Sequence, residues 1–316
     1  MTVKRMLSVL ARCLAMGGVV VFIGAVHAGD ACPPAQALTT NSDHSDAVPD
    51  GRFSKGMLWK IETPDAAPSY LFGTIHLADR PITRLPPAVA LALAKADRFA
   101  PEVVLDQQAV TYYQQQMFSP DAPNVDSLFD QPFRQRLLRL LAAYGVSREA
   151  ALQLKPWAAF TLLARPKPTG SPTLDELLAN TARLQGKPVR GLETVEELVS
   201  SLEDISIDHQ RKILIDTACN RQLLARQAQE LATRYLEQDL AGMLEASSRY
   251  APRDKAVAES FNQRLLYDRN RRMLKRLQPL LEMGNTFAAV GALHLAGARG
   301  LLQGLKDRGY RVSAVY

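Results

Sequence analysis

The amino-acid sequence predicts an α/β protein whose mixed β-sheet is built from two related halves, with a large helical insertion between them. Short apolar runs typical of strands lie near the front of the chain and again near its end, at residues 57–61 and 286–290. The long segment between them shows helical spacing of apolar residues. Each end also contains an apolar run that leads into a Gly-X-X-His motif, at residues 73–76 and 291–294.

The first elements are predicted to form a hairpin. Residues 57–61 and 70–72 have the apolar content of strands, and the segment between them contains Pro64 and Pro68 and is typical of a turn. The second strand leads into the first Gly-X-X-His motif. Its glycine is expected to allow a sharp turn, which would project His76 into a cleft.

The middle of the chain is predicted to be mostly helical. Thr173 with Glu176, and Thr194 with Glu197, have the spacing of capping boxes and mark two helix starts. The other elements predicted in this region are a helix from Pro86 and Pro87 to about residue 96, a buried strand at 102–106, helices at 125–142, 147–153, 156–163 and 218–240, and a strand at 187–192.

The end of the chain returns to α/β alternation. A helix buries Met273, Leu277 and Leu280 and is expected to end at Gly284-Asn285. The strand at residues 286–290 then runs into the second Gly-X-X-His motif and His294. A short helix and a last strand at 311–315 follow.

The beginning of the chain has the three parts of a secretory signal peptide. Lys4, Arg5 and Arg12 supply positive charge, residues 16–26 are apolar, and residues 26–28 offer a cleavage site. The apolar run is shorter than the roughly 20 residues that span a bilayer. We therefore predict a cleaved signal at 1–28, a flexible segment at 29–55 and one domain at 56–316, in the periplasm or outside the cell. Membrane contact is expected only through the signal before cleavage.

Charge and cysteine content narrow the possible functions. The net charge of the whole chain is +6, and removal of the signal's three basic residues leaves +3. No long basic block is present, which excludes a nucleic-acid binder. The mature chain would hold only Cys32 and Cys219. Both a disulfide and two free thiols are compatible with the sequence, which also leaves the oligomeric state open.

The two motif histidines are the candidate functional residues. From residue 51 onward the chain has three histidines, and His209 lies in a polar stretch typical of a surface. A single histidine at a strand end is most often a hydrogen-bonded core residue. The paired placement of His76 and His294 favours function, because ligands bind at the carboxyl ends of strands in open α/β sheets. Two imidazoles and a carboxylate suit a divalent metal. Without metal, the two rings suit acid–base catalysis.

Four sequence blocks resemble the TraB/GumN family, which also includes Tiki-type metalloproteases and pheromone-shutdown proteins. They occur in the family's order and cover nearly all of the mature chain. The blocks are Gly-Thr-Ile-His-Leu at 73–77, Gly-Leu-Glu-Thr at 191–194, Arg-Asn-Arg-Arg-Met at 269–273 and Val-Gly-Ala-Leu-His-Leu-Ala-Gly at 290–297.

The resemblance implies a fold related to erythromycin esterase and ChaN-like proteins and a divalent-metal site made by His76, His294 and Glu102. Glu102 matches an early Ala-Asp-X-apolar-X-X-Glu pattern, although Pro101 stands where the family has a β-former. Proline is tolerated at the first position of a strand. Arg269 or Arg272 is a candidate to stabilise an oxyanion, or is a surface cation. Glu193 is a candidate second carboxylate, but a structural role in the first turn of the helix capped by Thr194 is favoured.

Three functions remain open from the sequence. The first is an exported hydrolase, most simply a peptidase, that uses Mn²⁺, Co²⁺ or Zn²⁺ and acts on a peptide or another small carbonyl substrate. The second is a metal-free, esterase-like hydrolase in which the histidines act as acid and base. The third is a non-catalytic exported accessory or binding protein, for example in polysaccharide production.

Overall fold

The computed structural model describes Cys32 and residues 51–120, 123–167, 170–249 and 254–316. The predicted signal peptide, and most of the predicted flexible segment apart from Cys32 and residues 51–55, lie outside the described residues. Within them, no helix is both long enough and apolar enough to cross a membrane.

Five strands form a mixed sheet with the order β3-β4-β2-β1-β5. The three strands β3, β4 and β2 are parallel neighbours, and β1 is antiparallel to both β2 and β5. The strand bounds are β1 Leu58–Glu62, β2 Ser69–Thr74, β3 Arg98–Pro101, β4 Thr286–Gly291 and β5 Arg311–Ala314. The predicted hairpin is confirmed as β1 and β2, with Leu58 opposite Phe72.

Helices fill the region between β3 and β4 and flank the sheet. They are α1 Arg80–Thr83, α2 Pro87–Lys95, α3 Gln107–Gln116, α4 Val125–Leu128, α5 Gln131–Ala142, α6 Arg148–Gln153, α7 Pro156–Leu163, α8 Leu174–Leu184, α9 Val195–Glu203, α10 Ile207–Cys219, α11 Arg221–Leu236, α12 Leu240–Arg249, α13 Lys255–Asn262, α14 Asp268–Glu282, α15 Ala292–Leu295 and α16 Leu301–Lys306. A π-helical turn, Gln263–Tyr267, joins α13 to α14.

Local sequence signals located several helix ends correctly. Both predicted capping boxes form, at Thr173 for α8 and at Thr194 for α9. The stop after α14 also forms, because Gly284 (φ 69°) and Asn285 (φ 51°) adopt the left-handed backbone that ends a helix.

One long predicted helix is interrupted by a cap, and another is shorter than predicted at both ends. The segment 125–142 divides into α4 and α5, since the Asp130 side chain accepts from the Phe133 N–H and starts a new helix. The helix predicted at 218–240 corresponds to α11, which runs from Arg221 to Leu236 and is separated from α10 by Asn220, with φ −109° and ψ 33°. Asn220 therefore ends one helix and begins the next.

The strand predicted at 102–106 is also wrong. β3 ends at Pro101, and beyond it the chain makes only an isolated bridge from Val103 to Glu193. Pro101 is thus the last residue of an outer strand, not the first. Its carbonyl accepts from the Leu192 N–H on the outer side, so its missing N–H interrupts no bond to β4. Residues 187–192, predicted as a strand, run beside β3 and bond to its backbone, but they form only an isolated bridge, between Val189 and Phe99.

The buried apolar residues form two clusters. One surrounds the sheet and includes Phe72, Phe287 and Leu277, while the other lies within the helical layer and includes Tyr113 and Trp157. A disulfide joins Cys32 to Cys219 at the end of α10, which settles the choice between a disulfide and free thiols in this structure. The disulfide attaches the chain before the domain to the helical cluster.

Candidate functional site

Three neighbouring parallel strands deliver the candidate site residues to one edge of the sheet. Glu102 directly follows β3, His294 follows β4 within α15, and His76 follows β2 by two residues. Because β4 lies between β3 and β2, the three side chains approach the same region from adjacent strand ends. The predicted delivery of both histidines at carboxyl strand ends is therefore seen in the structure.

The first motif glycine is required for space, not for an unusual backbone angle. A Cβ on Gly73 would lie 2.8 Å from Leu295 Cδ1 and 3.2 Å from Ala292 Cα. The short helix α15 that carries His294 therefore packs directly against β2. This close packing corrects the expectation that the glycine serves to turn the chain sharply.

His76 lies in a tight turn and contacts a carboxylate. The Leu77 N–H donates to the Ile75 carbonyl across His76 at 2.7 Å. Nδ1 of His76 lies 2.7 Å from Oδ2 of Asp175, and Oδ1 of Asp175 accepts from the Thr74 hydroxyl at 2.6 Å. Burial lowers the pKa of His76, but the carboxylates of Asp175 and Glu102 together outweigh burial and the net shift is upward.

His294 is fully buried, and its tautomer follows from its neighbours. Asn270 donates from Nδ2 to the Arg299 carbonyl at 2.9 Å, which places its Oδ1 against His294. His294 Nδ1 lies 2.6 Å from that oxygen and must therefore be the donor. In the neutral ring, Nε2 then carries the lone pair.

Glu102 is an ionised carboxylate held by two donors. Oε1 accepts from the Gly291 N–H at 2.6 Å, and Oε2 accepts from Arg269 Nη2 at 2.7 Å. Burial raises the pKa of Glu102, but Arg269, then His294 and His76, and the Gly291 bond together lower it to about 2. The His76 contribution shows that this ring lies within electrostatic range of Glu102.

Arg269 connects the carboxylates to His294. Its side chain is 3% exposed, Nε donates to Glu193 Oε2 at 2.7 Å, and Nη1 lies 3.4 Å from His294 Nε2. The two carboxylates outweigh the effect of burial and raise the pKa of Arg269. Of the two candidate arginines, Arg269 is the one that contacts both Glu102 and His294.

Glu193 and Arg272 hold Arg269 in position through a second set of ion pairs. Arg272 Nη2 donates to Glu193 Oε1 at 2.8 Å and to the Ser201 hydroxyl at 2.6 Å. Glu193 precedes the cap residue Thr194, so it lies outside the first turn of α9. Its carboxylate binds two arginines, which corrects the helix-terminus role favoured from the sequence.

The sequence did not reveal two polar partners. Asp175 lies 99 positions from His76, and only the capping box that begins α8 marked its neighbourhood. Asn270 stands inside the quoted Arg-Asn-Arg-Arg block, but nothing in that pattern shows that it faces His294. His209, interpreted as a surface residue, is half-buried in α10.

The donor set fits a divalent metal in its chemistry. Both histidines have Nδ1 against an oxygen, a common arrangement around metal-binding histidines, in which Nε2 binds the metal. His294 Nε2 and Glu102 Oε1 are 3.8 Å apart, near the roughly 3.4 Å between two ligands of a tetrahedral ion with 2.1 Å bonds. Among the described residues, no group of three or more metal-binding side chains is already close enough to hold an ion. His76 would therefore have to come closer to the other two side chains to complete a three-ligand site.

The fold and site define a mixed α/β protein with a buried His–carboxylate–Arg centre at the ends of parallel strands. The chain belongs to the TraB/PrgY/gumN family, whose model matches residues 57–314. It is 24% identical over 313 residues to the metalloprotease TIKI2 of Danio rerio, a match that covers 81% of this chain. The chain spans 60% of that relative's length. No solved structure matches the chain.

Proposed function

We propose that the protein is an exported metal-dependent hydrolase that cleaves amide bonds in peptides. The observation that carries the proposal is the common orientation of the two histidines: each presents Nδ1 to an oxygen acceptor, Asp175 for His76 and Asn270 for His294. Nε2 is then the metal-binding nitrogen in both rings. Glu102 supplies a charged oxygen, and the name of the Danio rerio relative supports the reaction class.

The roles of the side chains follow from their contacts. A bound Mn²⁺, Co²⁺ or Zn²⁺ would polarise a carbonyl and make water a nucleophile at neutral pH. His76, His294 and Glu102 would hold the ion, with Glu102 kept ionised by Arg269 and the Gly291 N–H. Arg269 Nη1, which lies 3.4 Å from His294 Nε2, would donate to an oxygen that gains negative charge in the transition state.

A metal-free hydrolase is the second candidate, and one observation favours it. The Arg269 guanidinium contacts both Glu102 and His294 and already supplies a positive charge to the site. In this version His76 Nε2 accepts a proton from water, and the Asp175 carboxylate stabilises the resulting imidazolium. Arg269 stabilises the oxyanion.

The export and the finer fold assignment are also proposals. The disulfide between Cys32 and Cys219 supports an oxidising compartment, the periplasm or the outside of the cell. The adjacency of β2 and β4, each followed by a Gly-X-X-His histidine, supports two related halves and a relationship to erythromycin esterase and ChaN-like proteins.

The deciding experiment measures metal content and affinity of the purified protein, followed by hydrolysis of a peptide library with Mn²⁺ or Co²⁺. We expect about one ion per chain, lost in a His76→Ala/His294→Ala variant and kept in a His209→Ala control. Hydrolysis without bound metal would favour the acid–base version. A folded protein that neither binds metal nor hydrolyses peptides or esters would overturn both and favour an accessory protein.

A further inference from the structure

We propose that Asp175 is a positioning residue that selects the Nδ1–H tautomer of His76 and directs its Nε2 lone pair to the site. The inference rests on the proposed function, because that lone pair is what binds a metal ion or accepts a proton. It adds a residue that neither Gly-X-X-His motif contains.

The position of Asp175 is determined by the start of α8. Asp175 is the second residue of this helix, after the cap Thr173, whose capping box with Glu176 is complete. The Leu174 N–H donates to the carbonyl of Leu77, the residue after His76, at 3.2 Å. The helix start and the turn that carries His76 are therefore bonded together, which restricts their relative movement.

Both carboxylate oxygens of Asp175 have assigned neighbours. Oδ1 accepts from the Thr74 hydroxyl at 2.6 Å, and Oδ2 lies 2.7 Å from His76 Nδ1. Thr74 is the last residue of β2 and is 1% exposed. Rotation of the carboxylate would break the bond to Thr74, so Oδ2 is held against the imidazole.

This contact favours one position for the His76 proton. A carboxylate oxygen is an acceptor only, so its approach to within 2.7 Å stabilises a hydrogen on Nδ1, although the two groups are not aligned as a hydrogen bond. The alternative tautomer would place two lone pairs against each other in a site where the His76 side chain is only 15% exposed. Asn270 imposes the same tautomer on His294, which shows that both rings are oriented by the same principle.

A purely structural role for Asp175 can be tested separately. A carboxylate in the first turn of a helix interacts favourably with the helix dipole, whatever it contacts. Asp208 occupies the equivalent second position of α10, after the cap Ser206, but its side chain is 61% exposed and pairs with Lys212. Asp208→Asn is therefore the matched control for loss of a first-turn charge.

The experiment uses the purified full-chain gene product with ¹⁵N-labelled histidine. Long-range ¹H–¹⁵N spectra of the metal-free protein identify the protonated nitrogen of His76, assigned by comparison with His76→Gln, at pH values above its titration. We expect Nδ1–H in the wild type and in Asp208→Asn. In Asp175→Asn the amide can donate to Nδ1, so Nε2–H should become populated. Co²⁺ affinity, followed by absorption, should fall about 10–100-fold.

Thr74→Val is a second variant in case Asp175→Asn does not fold. It retains the carboxylate but removes the hydroxyl that orients it, and should produce a mixture of tautomers and a smaller loss of Co²⁺ affinity. Nε2–H in the wild type, or an unchanged tautomer in every folded variant, would overturn the proposal. Because the tautomer is read without metal, a wild type that binds no Co²⁺ would contradict the metal-dependent function and leave this test intact.

Discussion

Replacement of Arg269 by methionine is the most informative perturbation of the site. The change leaves the buried carboxylate of Glu102 without its cationic partner, while Glu193 keeps Arg272. Removing one partner from a buried ion pair typically lowers the free energy of unfolding by about 3–5 kcal/mol. The pKa of Glu102 supports this scale: its decrease from 4.5 to about 2 corresponds to about 3 kcal/mol of preferential stabilisation of the charged form.

The pH dependence of the free energy of unfolding should also reverse in Arg269→Met. In the wild type the pKa of Glu102 is about 2 in the folded state, below its ordinary value of 4.5. Its contribution to stability is therefore fully present above about pH 4.5 and is lost as the pH falls toward 2. In Arg269→Met, burial should raise the folded pKa above the unfolded value. The variant should then become less stable as the pH rises through neutrality, and more stable near pH 5.

The assay is urea unfolding at pH 5 and pH 7, with a double-mutant cycle. Glu102→Gln removes the unpaired charge and should restore about 1–3 kcal/mol when combined with Arg269→Met. Arg271→Met is the matched control, because this side chain lies two residues away on α14, is 69% exposed and pairs with Asp268. Arg271→Met should lower the free energy of unfolding by less than about 1 kcal/mol.

Two results would refute this reasoning. A loss below about 1 kcal/mol in Arg269→Met would show that the buried pair is not coupled to stability as its geometry implies. A strong loss that Glu102→Gln does not relieve at pH 7 would assign the cost to packing or to Glu193, and not to an unpaired charge at Glu102.

Three further predictions follow from local features. Reduction of the disulfide, or Cys32→Ser with Cys219→Ser, should lower the free energy of unfolding by about 2–4 kcal/mol, measured by urea unfolding with and without reductant; an unchanged midpoint would contradict a structural disulfide. Gly73→Ala should cost about 1–3 kcal/mol, because its Cβ would meet Leu295, and should reduce metal affinity in parallel, measured by thermal unfolding and Co²⁺ titration. Thr173→Ala should cost about 0.5–2 kcal/mol by loss of the α8 cap, and Thr173→Ser should retain most of that stability.

Features that depend on neighbouring residues were predictable. The capping boxes, the stop at Gly284-Asn285 and the β1–β2 hairpin each arise from residues within a few positions of one another. Prediction failed where a residue that starts a helix or ends a strand was overlooked. Asp130 caps a new helix within an apolar pattern that predicts one continuous helix. Strand β3 ends at Pro101, so the residues after it do not pair with β4.

The candidate site was only partly accessible from the sequence. Repetition of Gly-X-X-His drew attention to His76 and His294, and the family pattern indicated Glu102. Their approach to one edge depends on the insertion of β4 between β2 and β3, which is a property of strand order. Local pattern does not encode that order, because a pairing between residues about 200 positions apart is chosen by the packing of the whole sheet.

By itself, then, the sequence determined the α/β class, the positions of most elements and the two candidate histidines, because apolar periodicity and turn chemistry act over short distances. Only the tertiary structure decided that Arg269 joins Glu102 to His294 and that Asp175 and Asn270 orient the two imidazoles. The physical reason is that a buried charge or ring nitrogen is satisfied by whichever polar group the fold brings near it, and that group can lie anywhere in the chain.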